Sequence, residues 1–98
     1  MPEMHFQVRW PDNSVSVCYS PSLVVKDFFQ EGASYSLEDF LQRSREALTI
    51  ASNRVKEKYG FHCTSAMQQL HEIEARVSSL KPQDGRVTVE AFLRDAGG

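Results

Sequence analysis

The sequence is poor in the residues that build metal sites, phosphate-binding loops and membrane spans. Its 98 residues include two cysteines and three histidines, and none of them are spaced as CxxC, HxH or HxxxH. The five glycines are scattered or terminal, so no glycine-rich loop is present to hold a phosphate. No apolar run approaches the ~20 residues that cross a bilayer. These absences argue against metalloenzymes, nucleotide-binding enzymes and membrane spans, and we expect no metal and no cofactor.

The first residues, 1–6, lack the basic flank and apolar stretch of a signal peptide, so we expect a cytoplasmic protein. In that reducing compartment Cys18 and Cys63 are expected to be free thiols. The net charge of −2 gives no general attraction to nucleic acid or to an anionic membrane.

One segment, residues 42–58, is locally basic. It carries Arg43, Arg45, Arg54, Lys56 and Lys58. A mixed, solvated helix surface is the more ordinary interpretation of such a segment, and a nucleic-acid-binding patch is the alternative.

Residues 4–19 alternate apolar and polar side chains, which predicts a β-hairpin. A turn centred on Asp12 and Asn13 would pair Val8 with Val17 and place every apolar side chain on one face. The opposite face would then be polar. Its members would be His5, Gln7, Arg9, Ser14, Ser16 and Cys18.

Helical signals follow the hairpin. Ser20 and Pro21 are typical of a helix start and predict a short helix over residues 21–30. Ser36 and Asp39 resemble a capping box, and the apolar spacing behind them predicts a long helix over 37–59. A second long helix is predicted over 63–80, and residues 86–96 favour a strand followed by a short helix.

These elements predict one α+β domain, in which the N-terminal antiparallel hairpin packs on two long antiparallel helices plus one short helix. A two-stranded hairpin alone is marginal in water. The helices, a third strand at the C-terminus or a second chain must cover its apolar face. We therefore expect a homodimer.

Candidate binding residues come from the polar hairpin face and from the junction before the second long helix. They are His5, Gln7, Arg9, Cys18, His62 and Cys63. A thiol at a helix N-terminus, such as Cys63, can have a lowered pKa. A solvent-exposed sheet face and a packed or capping cysteine are the simpler interpretations, and no catalytic residue is assigned.

Several ordered blocks of the chain resemble a short bacterial family of nitrogen starvation response proteins. They are RWPD at 9–12, CYSPSLVVKDF at 18–28, RSREAL at 43–48, ASNRV at 51–55 and YGFHC at 59–63. The resemblance covers about residues 4–80. It implies a bacterial cytoplasmic protein linked to nitrogen limitation and encoded near a nitrilase-type hydrolase, a radical-SAM-like protein and an acetyltransferase. It carries no assigned catalytic residues.

The function expected from residues and resemblance together is a non-enzymatic accessory or binding protein that acts on a partner protein or a small metabolite. One alternative is a small thiol-dependent enzyme or carrier using Cys63 or Cys18, with His62 or His5 as base. A second alternative is a nucleic-acid-binding regulator acting through the basic segment.

Overall fold

A computed structural model describes residues 4–60, 64–81 and 84–94. The described residues form an α+β fold, which confirms the predicted class. The elements in chain order are β1 (Met4–Arg9), β2 (Val15–Ser20), α1 (Val25–Phe28), β3 (Ser34–Ser36), α2 (Leu37–Tyr59), α3 (Thr64–Ser78) and β4 (Arg86–Arg94).

The strands form a four-stranded sheet in the order β2-β1-β4-β3, with every neighbouring pair antiparallel. The C-terminal strand therefore lies beside β1 and covers the inner edge of the hairpin. It continues to Arg94, so the short helix predicted after residue 89 is wrong. The β1–β4 register shifts between Gln7 and Val8, which leaves Glu90 as the extra residue of a bulge. The three-residue β3 was not predicted.

The hairpin exists as predicted, but its register differs by one residue. Phe6 lies opposite Cys18, and Gln7 lies opposite Val17. The reason is the turn. Asn13 N–H donates to Trp10 O and Asn13 has φ 73°, so the loop has three residues and ends on a left-handed one.

A loop with an odd number of residues reverses the faces of the second strand relative to a loop with an even number. Val15 and Val17 are therefore exposed, at 44% and 52%, and Tyr19 joins them on the outer face. Cys18 is buried instead. The predicted single apolar face of the hairpin is correct for β1 and wrong for β2.

The long helices were predicted closely. α2 has the predicted bounds, and Ser36 caps it by accepting a hydrogen bond from Asp39 N–H at 3.1 Å. α3 begins at Thr64, one residue after the predicted start, and ends at Ser78, two residues before the predicted end. α1 is shorter than predicted at both ends, since Ser20 stays in β2, where its hydroxyl donates to Ser22 O, and the backbone is already extended at Phe29.

The core lies between one face of the sheet and the helices. It joins strand residues such as Phe6 and Val87 to helix residues such as Phe40 and Ile73. The ring of Phe40 is fully buried in it, with centroid distances of 5.3 Å to Phe29 and 5.4 Å to Trp10. None of the helices formed by the described residues is long and apolar enough to cross a membrane.

Candidate functional site

The outer face of the sheet carries three of the predicted binding residues together. His5, Gln7 and Arg9 alternate along β1 on the side opposite to the core. Arg9 Nε donates to Glu90 Oε2 at 2.8 Å, and Gln7 Nε2 donates to Glu90 Oε1 at 3.1 Å. The hydrogen bond from Arg9, followed by that from Gln7, lowers the pKa of Glu90. A binding role for this face stays a prediction.

The apolar part of the same face lies mainly on β2. Val15, Val17 and Leu93 are exposed there, and the ring of His5 meets that of Tyr19 edge-on at 5.6 Å. The outer face therefore combines a hydrogen-bonded polar centre with an apolar margin. The observed hairpin register produces this combination. The register predicted from the sequence placed the apolar residues of β2 on the core face, so it predicted a wholly polar outer face.

Cys18 does not belong to this surface. Its side chain is 1% exposed and points into the core, so the prediction that it shares the polar face of the hairpin with Arg9 is wrong. Burial, and then the charge of Glu72, raises the pKa of Cys18 to about 12. His5 lies on the other face of the sheet and is not placed to deprotonate it. His62 and Cys63 lie outside the described residues.

A groove that the sequence did not predict runs between β2 and α3, with a volume of about 580 Å³. Its floor is apolar, because Trp10, Cys18 and Ile73 are buried beneath it. Its α3 wall carries polar side chains spaced three and four residues apart. They are Gln69, Glu72 and Arg76 on α3, followed by Ser79 directly after its end. That spacing marks one helix face in the sequence, but it does not reveal that the face lies opposite an edge strand.

Hydrogen bonds fix the two walls of the groove at both ends. At one end, Tyr19 N–H donates to Gln69 Oε1 at 2.9 Å. At the other end, Arg76 donates to Asp12 Oδ2 at 3.2 Å and to the Ser14 hydroxyl, and its guanidinium lies 5.5 Å from the centre of the Trp10 ring. The hydrogen bonds from Ser14, with a smaller contribution from Arg76, lower the pKa of Asp12.

The basic segment of α2 is partly neutralised by its neighbours. Arg43 pairs with Asp39 at 3.1 Å and also donates to Phe28 O. Arg45 pairs with Glu74 of α3 at 2.9 Å. Arg43 and Arg45, two of the five cations proposed for nucleic-acid binding, are therefore held in ion pairs within the fold.

Among residues 4–60, 64–81 and 84–94, no group of three or more histidine, cysteine or acidic side chains is arranged to hold a metal ion. The outer face and the groove offer polar and apolar contacts to another molecule.

Comparisons with known proteins identify the family. No curated protein and no solved structure matches the chain. The family model of the nitrogen starvation-induced protein NitG matches residues 5–92, which is nearly the whole sequence. The match includes most of β1, the groove and most of β4. The chain belongs to the family of nitrogen starvation-induced protein NitG.

Proposed function

We propose that this protein is a non-enzymatic accessory protein of the nitrogen starvation response, and that it binds a partner protein in the groove between β2 and α3. Family membership supports the physiological setting. The groove supports the binding role, because an apolar floor with polar groups around it is typical of recognition sites.

The single observation that carries the proposal is the construction of this groove. Both of its ends are fixed by hydrogen bonds between the hairpin and α3, through Gln69 and Arg76. The walls are therefore held in place before anything binds, which reduces the entropic cost of binding.

The test compares partners recovered with the full chain from cells grown under nitrogen limitation. Ala75 is exposed and lines the groove, so Ala75→Trp fills the groove without changing its charge. Met67 is exposed on the same helix and does not line the groove, so Met67→Trp is the matched control. We expect a partner that is recovered with the wild type and with Met67→Trp and is lost with Ala75→Trp. Equal recovery with all three, or no partner with any, contradicts the proposal.

A small metabolite is the second candidate for the same groove. The groove volume of about 580 Å³ and its carboxylate and guanidinium groups favour a small polar ligand. Native mass spectrometry of the wild type and of Ala75→Trp, both purified from nitrogen-limited cells, tests this alternative. A bound mass present in the first and absent in the second supports it.

The proposal also includes self-association, in which a second copy of this chain is one of the partners. The exposed valines of β2 give a second chain an apolar surface to cover. Light scattering at tens of micromolar is expected to show a dimer, and a monomer throughout that range contradicts it.

A further inference from the structure

The backbone of β2 is open along part of its outer edge. β1 is its neighbour in the sheet, and β2 ends the strand order. Trp10 N–H donates to Ser14 O at 2.8 Å, which makes these two residues a hydrogen-bonded pair of the ladder. Bonded and non-bonded pairs alternate in antiparallel sheets, so the pair of Gln7 with Val17 is non-bonded. The N–H and C=O of Val17 therefore point away from β1.

Tyr19 supports this assignment independently. It lies two residues after Val17, so its N–H points in the same direction, and it donates to Gln69 Oε1 of α3. Gln69 thus occupies the edge position that a neighbouring strand would otherwise use at Tyr19. Val17 lines the groove two residues before Tyr19, and its N–H and C=O point in the same direction as the N–H of Tyr19.

The edge of β2 lacks charged residues and proline, two features that commonly prevent strand addition. All of β2, residues 15–20, pairs with β1. The opposite edge of the sheet differs, because β3 has three residues. The sheet therefore has one edge protected by its shortness and one edge open beside a groove.

The two charged side chains that line the groove, Glu72 and Arg76, differ in whether an ion pair balances their charge. Arg76 is paired with Asp12, so its charge is balanced within the fold. Glu72 forms no ion pair with any residue in the described part of the chain. Its carboxylate lies close enough to Cys18 to contribute to the raised pKa of that thiol. The groove thus has an apolar floor and one unbalanced negative charge.

We propose that the groove between β2 and α3 binds an extended peptide segment of the partner as an added strand, with a basic side chain of that segment facing Glu72. The inference rests on the proposed function and names its mode of recognition. The peptide residue opposite Val17 exchanges both backbone hydrogen bonds with it. Side chains alternate along a strand, so the two flanking residues point toward α3. One covers the apolar floor and the other meets Glu72.

The probe for this proposal is a library of random twelve-residue peptides displayed on phage and selected on the immobilised full chain. We expect selected peptides to combine β-branched or aromatic residues with a lysine or arginine two positions from an apolar residue. Affinities of synthetic copies are then measured by fluorescence anisotropy against wild type and variants. A selection that yields no binder, or binders without a basic residue, overturns the proposal.

Two pairs of variants separate backbone pairing from other contacts. Val17→Pro removes the outward N–H, and proline is tolerated at such edge positions. We expect about tenfold weaker binding, against no more than a twofold change for Val17→Ile. Glu72→Lys is expected to weaken binding by about tenfold, whereas Glu57→Lys makes the same charge change at an exposed site on α2 and leaves the affinity unchanged.

A measurement on the wild-type protein tests strand addition even if Val17→Pro does not fold. Peptide binding is expected to slow the hydrogen exchange of the Val17 amide, because that amide becomes bonded. Unchanged exchange, or equal affinity of Val17→Pro and Val17→Ile, overturns strand addition. If the natural partner is lost with Ala75→Trp and kept with Val17→Pro, strand addition fails and the proposed function survives. If Ala75→Trp and Met67→Trp recover the same proteins, the proposed function itself fails.

Discussion

Phe6 and Cys18 face each other across the β1–β2 ladder, and both side chains are fully buried on the helix-covered side of the sheet. The thiol therefore serves as a small apolar group in the core. The burial of Cys18 also decides how its thiol reacts.

We expect Cys18 to be unreactive in the native protein. Its pKa is raised to about 12, so the thiolate is scarce at pH 8, and burial blocks access to the sulfur. In a Cys63→Ser variant, which leaves Cys18 as the remaining thiol, a maleimide should label the folded protein slowly and the urea-unfolded protein rapidly. Stoichiometric labelling of the folded protein within minutes at pH 8 would contradict this.

Asn13 is expected to set the hairpin register through its backbone conformation. Its φ of 73° lies in the left-handed region, which asparagine and glycine tolerate and β-branched residues do not. Asn13→Val should lower the free energy of unfolding by about 1–2 kcal/mol, measured by urea denaturation. Asn13→Gly is the control, and it should stay within about 0.5 kcal/mol of the wild type. Equal stabilities of the two variants would argue against this role.

Phe40 is expected to be among the most sensitive core positions. It is fully buried and contacts the rings of Phe29 and Trp10. Phe40→Ala should reduce the free energy of unfolding by about 3–5 kcal/mol, because it leaves a cavity between the sheet and α2. Ile50→Ala on the same helix removes an exposed side chain and should change it by no more than about 1 kcal/mol. Comparable losses in both variants would contradict this packing.

The hydrogen bonds to Glu90 predict a pH effect of known sign. Its pKa is lowered in the folded state by Arg9 and then by Gln7, so its contribution to stability is present above the usual value of 4.5. That contribution is lost as the pH falls through the lower, folded-state pKa. NMR titration of the side-chain carboxyl should show that Arg9→Met raises the pKa of Glu90. An unchanged pKa would mean that the contact does not persist in solution.

The sequence predicted the long helices well because their signals are local. The capping contact of Ser36 with Asp39 and the repeated apolar spacing lie within one segment, and they placed α2 between its observed bounds. The hairpin was found for the same reason. Its register was not, because a loop of three residues and a loop of four leave similar alternating patterns in the sequence.

The predicted site residues also divide into those whose face is set by local structure and one whose face is set by the turn. His5, Gln7 and Arg9 share a face because alternation within one strand is fixed by its backbone. Cys18 is on the other strand, so its face depended on the turn. The groove has no local signal, since its walls come from β2 and α3, which are distant in the sequence.

The sequence by itself determined the α+β class, the extent of α2, the alternation of β1 and membership of the nitrogen starvation-induced family. These follow from interactions between near neighbours in the chain or from ordered blocks of residues. The tertiary structure alone decided the burial of Cys18, the central place of β4 and the groove beside Val17. Each of these depends on which distant segments pack together, because hydrophobic burial is non-directional and local patterns do not specify the partner of an apolar face.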